Sequence, residues 1–197
     1  MTNIVRSALF GLAGIAMIAC GDTRSTLTAA PESSSAALGP RKLISVAFNG
    51  EASGFPTGVV RLTGGGAFDP ATAGSTSPDV RVPNLGGGFS CVAPVDQPPL
   101  KGCAKDEGVR WDTAKLLETS GFKCTGKTEE ILKHGFTSDT AVVLSADFYR
   151  AGDGIDESFT ANMIVSTYDL DPDIAGFQNL WIQGVGCGTA FVNFNAH

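Results

Sequence analysis

Thr140-Ala141-Val142-Val143-Leu144-Ser145-Ala146-Asp147-Phe148-Tyr149-Arg150 decides the fold class. Val142, Leu144, Ala146 and Phe148 fall on one face, with Val143, Ser145, Asp147 and Tyr149 on the other. That period of two belongs to a strand with one face in a core, not to a helix. Phe159, Ala161, Met163, Val165 and Thr167 repeat the alternation against Ser158, Thr160, Asn162, Ser166 and Tyr168. Between them Ala151-Gly152-Asp153-Gly154 supplies turn chemistry, so the two segments are predicted to form an antiparallel hairpin.

Strand signals continue on both sides. Leu180 to Val185 and Thr189 to Asn195 read as two further strands around Gly186-Cys187-Gly188. Upstream candidates are Lys42 to Phe48, Val59 to Leu62 running into Gly64, and Gly88 to Val92. Val109 to Leu117 reads either as a strand or, through Asp112-Thr113-Ala114-Lys115-Leu116-Leu117, as a helical turn. Thr128 to His134 is predicted as one short helix, started by Thr128 and stopped by Gly135. Two glycine triplets, Gly64-Gly65-Gly66 and Gly86-Gly87-Gly88, echo each other and are expected to mark bulges or close strand crossings. With 25 glycines and few of the residues that fill helix surfaces, the chain reads as all-β: a single antiparallel β-sandwich or small β-barrel.

The N-terminus reads differently. Met1 to Ser7 is polar with one cation, Arg6, and Ala8 to Ala19 is a twelve-residue apolar run, too short to span a bilayer. It ends at Met17-Ile18-Ala19-Cys20. This stretch resembles the signal peptide and lipobox of bacterial lipoproteins, with Met17 where leucine is usual. The resemblance implies cleavage before Cys20, lipidation of Cys20 and a stable membrane anchor through it; the alternative is plain secretion with cleavage after Ala30. Gly21 to Pro40, rich in Ser, Thr, Ala and Pro, is expected to be a tether reaching about 25 Å. Residues 1–19, 20–40 and 41–197 are thus read as signal peptide, lipidated tether and β domain. Gly108 to Trp111 and the block from Phe148 to Phe194 are similar to exported bacterial proteins of unassigned function, a likeness that transfers no functional residue.

Removing residues 1–19 takes away Arg6 and moves the formal charge from -6 to -7. An acidic chain argues against nucleic acid and against charge-driven binding to anionic lipid. The partners expected are the membrane, through the anchor, and an unidentified ligand or protein. After Cys20 four cysteines remain, an even number that in an exported chain reads as two disulfides. Cys91–Cys103 is expected because the pair brackets the Pro-rich loop from Val95 to Leu100. Cys124–Cys187 then staples the middle of the domain to a late strand. The spacing lacks the CxxC or HxxxH of a zinc site.

Several motifs invite a catalytic or binding role. Gly121-Phe122-Lys123-Cys124-Thr125-Gly126-Lys127-Thr128 satisfies the phosphate-cradling pattern GxxxxGK[ST]. Its context opposes that reading, because Lys115 to Ser120 is not the buried parallel strand such a loop follows, and no nucleotide is expected outside the cytoplasm. Asp169, Asp171 and Asp173 alternate in a loop and could offer three oxygens to calcium, as weak candidates. An EF-hand would need Gly and Glu where Ile174 and Leu180 stand. Asp153, Asp156 and Glu157 form a second acidic turn. Only His134 and His197 could serve as a general base, and no GxSxG elbow is present. No catalytic residue and no cofactor are therefore assigned.

Trp111, Trp181, Phe148, Tyr149, Phe159, Tyr168, Phe191 and Phe194 could pack a core or line a barrel mouth. The function expected is a non-catalytic, envelope-anchored binding or interaction module. The alternatives are a barrel enzyme, an isomerase or hydrolase using carboxylates in a cavity, and a structural envelope lipoprotein. An interior filled with side chains favours the structural class; an apolar cavity would favour a carrier, and one with converging polar groups an enzyme.

Overall fold

A computed structural model describes residues 42–77, 83–150 and 158–197. Among these residues ten strands succeed one another: β1 (Ile44–Gly54), β2 (Val59–Phe68), β3 (Asn84–Ala93), β4 (Arg110–Leu116), β5 (Thr119–Phe122), β6 (Lys133–Phe136), β7 (Ala141–Tyr149), β8 (Ser158–Ser166), β9 (Leu180–Ile182) and β10 (Gly186–Ala196). Eight close into an antiparallel barrel in the order β1-β10-β9-β8-β7-β4-β3-β2, and β5 and β6 pair separately. The barrel is therefore a meander that closes when β10 returns to β1, with one hairpin inserted between β4 and β7. The predicted hairpin is β7 and β8, registered from Ala141 opposite Ser166 to Tyr149 opposite Ser158. Its turn at residues 151–154, the acidic residues Asp153, Asp156 and Glu157, and the stretch from Met1 through Cys20 to Arg41 lie outside the described residues.

Alternation fills the interior. Ile44, Val46, Phe48, Val60, Leu62, Phe89, Val142, Leu144, Phe148, Met163 and Ile182 point inward and join one buried cluster. An eight-stranded barrel has an interior just wide enough for such side chains. The outward rows on β1, β2 and β4 carry Ser45, Asn49, Glu51, Arg61, Thr63 and Asp112. That is the reverse of a membrane-spanning barrel, whose outer band is apolar. No helix among the described residues is long and apolar enough to cross a membrane.

Trp111 is the largest fully buried side chain. Its ring lies 5.8 Å from that of Phe48, centroid to centroid. Room for the indole comes from the glycine triplets: a Cβ on Gly64 would run into the Trp111 ring, and one on Gly87 into the backbone of Thr63 and Gly64. The β2–β3 ladder pairs Leu62 with Phe89 and resumes at Gly65 and Gly86, skipping Thr63 and Gly64. The triplets thus mark a close strand crossing, as their sequence suggests.

At one end of the barrel the loop after β3 folds over the core. Leu100 and Val95 are fully buried there, and Cys91 is joined to Cys103. Gln97 fastens this loop, donating from Nε2 to the Thr57 carbonyl at 2.7 Å and accepting from the Thr57 hydroxyl at 2.6 Å. The Pro98–Pro99 peptide bond is cis.

The stretch from Thr119 to Phe136 corrects the sequence reading. Thr128 to His134 is not a helix: Thr128–Glu130 form a turn, and Lys133–Phe136 is β6, paired with β5 from Thr119 opposite Phe136 to Phe122 opposite Lys133. A seven-residue helix is marginal without a packed face, and Glu130 finds better partners by folding back on the preceding loop. The ambiguous segment from Val109 to Leu117 resolves as strand β4, with a bulge between Thr113 and Lys115. The inserted hairpin lies against the outside of β7, β8 and β9, where Phe122, Cys124, Val143, Ile164, Leu170, Trp181 and Cys187 form a second buried cluster. This explains why Ala141-Val142-Val143-Leu144 is buried on both faces.

Candidate functional site

The loop between β5 and β6 contains the phosphate-loop pattern, and the protein fills it with its own carboxylate. Glu130 accepts from the backbone N–H of Cys124, from the N–H of Thr125 at 2.9 Å and from the Thr125 hydroxyl at 2.5 Å. Burial works to raise the Glu130 pKa, but the hydrogen bonds from Thr125, Cys124 and Gly126 outweigh it and hold the carboxyl below its ordinary range. Lys123, not Lys127, turns inward along this loop, its Nζ donating to the Lys127 carbonyl at 3.1 Å. The preceding strand is antiparallel β5, and Cys124 is bonded to Cys187.

Beside this loop lie the acidic candidates. Asp169 Oδ1 accepts from the N–H groups of Asp171 and Gln178, each at 3.1 Å, and so shapes its own loop. Asp171 is buried, and the Lys133 ammonium bridges it to Asp173, 2.7 Å from Asp173 Oδ2. Burial works to lower the Lys133 pKa; its bonds to the two carboxylates overcome that and raise it above the ordinary lysine value. The structure thus brings Asp171 and Asp173 together around an ammonium and turns Asp169 to the backbone. Cys124, Glu130 and Asp171 also place ligand-type atoms within 4.8 Å of one another. The Cys124 sulfur is in a disulfide and offers no thiolate, while Glu130 and Asp171 are already committed to N–H donors.

The histidines stand apart. His134 is exposed on β6 opposite Gly121, and the N–H of His197 donates to the Leu43 carbonyl at 2.9 Å. The four cysteines pair as expected, Cys91 with Cys103 and Cys124 with Cys187. Two disulfides fit an oxidising, exported compartment.

The aromatic residues divide three ways. Trp111 and Phe148 fill the barrel, and Trp181 packs outside it under the hairpin, donating from Nε1 to the Lys123 carbonyl at 2.9 Å. Phe191 does neither: it points outward from β10 and is 90% exposed. Ala190, Val192 and Phe194 alternate with it toward the interior, the one sequence signal that sets Phe191 apart from the other aromatic residues. The backbone beside it is held on both polar atoms. Beyond the short strand β9, the Asn179 side chain takes over the ladder, donating to the Ala190 carbonyl at 3.0 Å and accepting from its N–H at 2.7 Å.

Phe191 sits on a polar stripe. Across the sheet it faces Asn49, Thr189 faces Glu51, and Glu51 faces Arg61. Arg61 Nε donates to Glu51 at 2.8 Å, and Thr189 donates to the backbone carbonyl of the half-exposed Phe177. A concavity of about 380 Å³ opens between Asn49, Glu51, Arg61, Thr189 and Phe191. No family model matches the sequence, and no curated protein or solved structure is significantly similar to it.

Proposed function

We propose that this chain is a non-catalytic binding or interaction module, held at a bacterial cell envelope by a lipidated Cys20 and working from the outer wall of its barrel. One contrast carries the reading: the interior is filled with side chains, whereas the outer face of β10, β1 and β2 presents Phe191 almost fully exposed beside a concavity. A packed interior leaves no room for a carrier's ligand, so recognition falls to the surface. The loop carboxylates that might have served an enzyme are engaged by Lys133 or backbone N–H groups. The polar outer rows support attachment through the N-terminus rather than the wall. The filled interior also favours a second reading, a structural envelope component that needs no ligand.

Co-sedimentation with washed bacterial envelope fragments tests the proposal, using the full chain with Cys20→Ser, which removes the acyl anchor and serves as the wild type here, and the same chain with F191A. The expected result is pelleting of the wild type that falls with F191A. Wild-type protein left in the supernatant would overturn the reading. Equal pelleting of both would move the choice to the structural alternative.

A further inference from the structure

We propose that the stripe centred on Phe191 binds a neutral saccharide, an inference that rests on the binding-module reading and names its ligand class. The fold first removes other modes. Toward β9 the β10 ladder ends at Gly188, and the Asn179 side chain then takes the backbone of Ala190, so a peptide strand added beside Phe191 would have to displace it. The interior is occupied, so an apolar ligand cannot enter it.

The chemistry of the stripe then selects. Glu51 and Arg61 are paired with each other and cancel in charge, so the stripe presents no net charge to draw an ionic ligand. What remains is hydrogen-bonding capacity beside an apolar ring. The Asn49 amide has no hydrogen-bond partner among the described residues. Glu51 Oε2 and the second terminal nitrogen of Arg61 are likewise unused there, because only Glu51 Oε1 and Arg61 Nε and Nη2 take part in the pair. An aromatic face is the negative end of a quadrupole and attracts the weakly positive C–H groups of a ligand. A ligand that suits both halves has one face of C–H bonds and a rim of hydroxyls, which describes a pyranose. The concavity lies within the size range of small-molecule clefts. Because Asn49, Thr189 and Phe191 stand on hydrogen-bonded strands, little ordering is needed on binding.

The test is a titration of ¹⁵N-labelled full-length protein with chitotetraose, cellotetraose and maltotetraose, each to about 10 mM, the regime of weak single-site binding. At least one sugar should shift the Asn49 side-chain amide and the backbone signals of Thr189 to Phe191. F191L keeps an apolar group but no ring and should lose about tenfold in affinity, whereas F191Y should stay close to wild type. Phe191 packs against no core, so unchanged signals from Trp111 will verify the fold of each variant. Absence of shifts with all three sugars overturns the proposal, as does F191L binding like the wild type. Shifts that follow protein concentration alone would assign the stripe to a second copy of the chain and overturn it too. Phe191-dependent envelope pelleting that none of the sugars competes would sink the saccharide assignment while leaving the module reading intact.

Discussion

The indole Nε1 of Trp111 donates to the backbone carbonyl of Thr63 at 3.0 Å, inside the barrel. Thr63 lies where the β2–β3 ladder is interrupted, so the tryptophan supplies the partner that β3 does not. Gly64 and Gly87 let the ring and the two strands approach this closely. One residue therefore sets the core and repairs the sheet that surrounds it.

This arrangement makes Trp111 and Gly64 energetically coupled. Trp111→Ala should cost about 3–5 kcal/mol through lost burial and a cavity. Gly64→Ala should cost about 1–3 kcal/mol in the wild type by overpacking against the indole. In a Trp111→Ala background the same change should cost much less, because the atom it meets is gone. Urea denaturation of the four proteins in a double-mutant cycle measures the coupling, and strictly additive costs would refute it.

The two disulfides should differ in what they contribute. Cys91–Cys103 closes a separation of 12 residues and Cys124–Cys187 one of 63. Chain entropy assigns about 3 kcal/mol to the first and about 4 kcal/mol to the second. Paired Cys→Ser variants compared by denaturation should rank in that order. Limited proteolysis of the Cys124→Ser/Cys187→Ser variant should cut first between residues 119 and 136, the hairpin that this bond holds against β7, β8 and β9.

Glu130 and Lys133 should give opposite pH signatures. The folded-state pKa of Glu130 lies below its unfolded value, so its stabilisation is complete above the ordinary carboxylate range and lost as pH falls through the folded value. Glu130→Gln should therefore destabilise the protein at neutral pH and flatten the acid limb of its stability curve. The Lys133 pKa is raised, so its contribution is complete below the ordinary lysine value of 10.5 and is lost only as pH climbs past that. Thermal melts from about pH 3 to about pH 11, the range spanned by ordinary carboxylate and lysine titration, separate the two. An acid limb unchanged by Glu130→Gln would refute the loop assignment.

Removing Lys133 alone leaves Asp171 buried without its cation. Lys133→Met should cost about 3 kcal/mol, the lower end for breaking a buried pair. Adding Asp171→Asn should restore part of the loss, since the stranded charge is then gone. Lys42→Met should have little effect, because its pair with Asp139 is half exposed. Denaturation midpoints for these variants decide the matter; a double mutant less stable than Lys133→Met would contradict it.

The sequence makes the barrel wall legible because alternation and turn chemistry act locally. β7, β8 and β10 follow from period two, and the glycine triplets announce a crossing. Four cysteines allow three connectivities; the Pro-rich loop between Cys91 and Cys103 favours the one the fold adopts. What stayed hidden depends on contacts distant in sequence. Glu130 reads as a helix residue until the N–H groups of Cys124 and Thr125 are placed beside it. One local signal of the covering hairpin was present in the run Ala141-Val142-Val143-Leu144, apolar on both faces. The Asp171–Asp173 pair looked like a cation site in the sequence, and only the fold brings Lys133 to it. Composition alone groups Phe191 with the other aromatic residues, whereas the alternation with its inward-facing neighbours Ala190 and Val192 places it outside.

Export, lipidation and the disulfide-stapled barrel meet in one measurement: intact mass of the chain purified from membranes, with and without alkylation before reduction. The account expects a mature chain that begins at Cys20, carries acyl groups, and takes up no alkylating reagent at Cys91, Cys103, Cys124 or Cys187 until it is reduced. An unacylated chain that begins at Met1 and is alkylated at all four of those cysteines without reduction would contradict it.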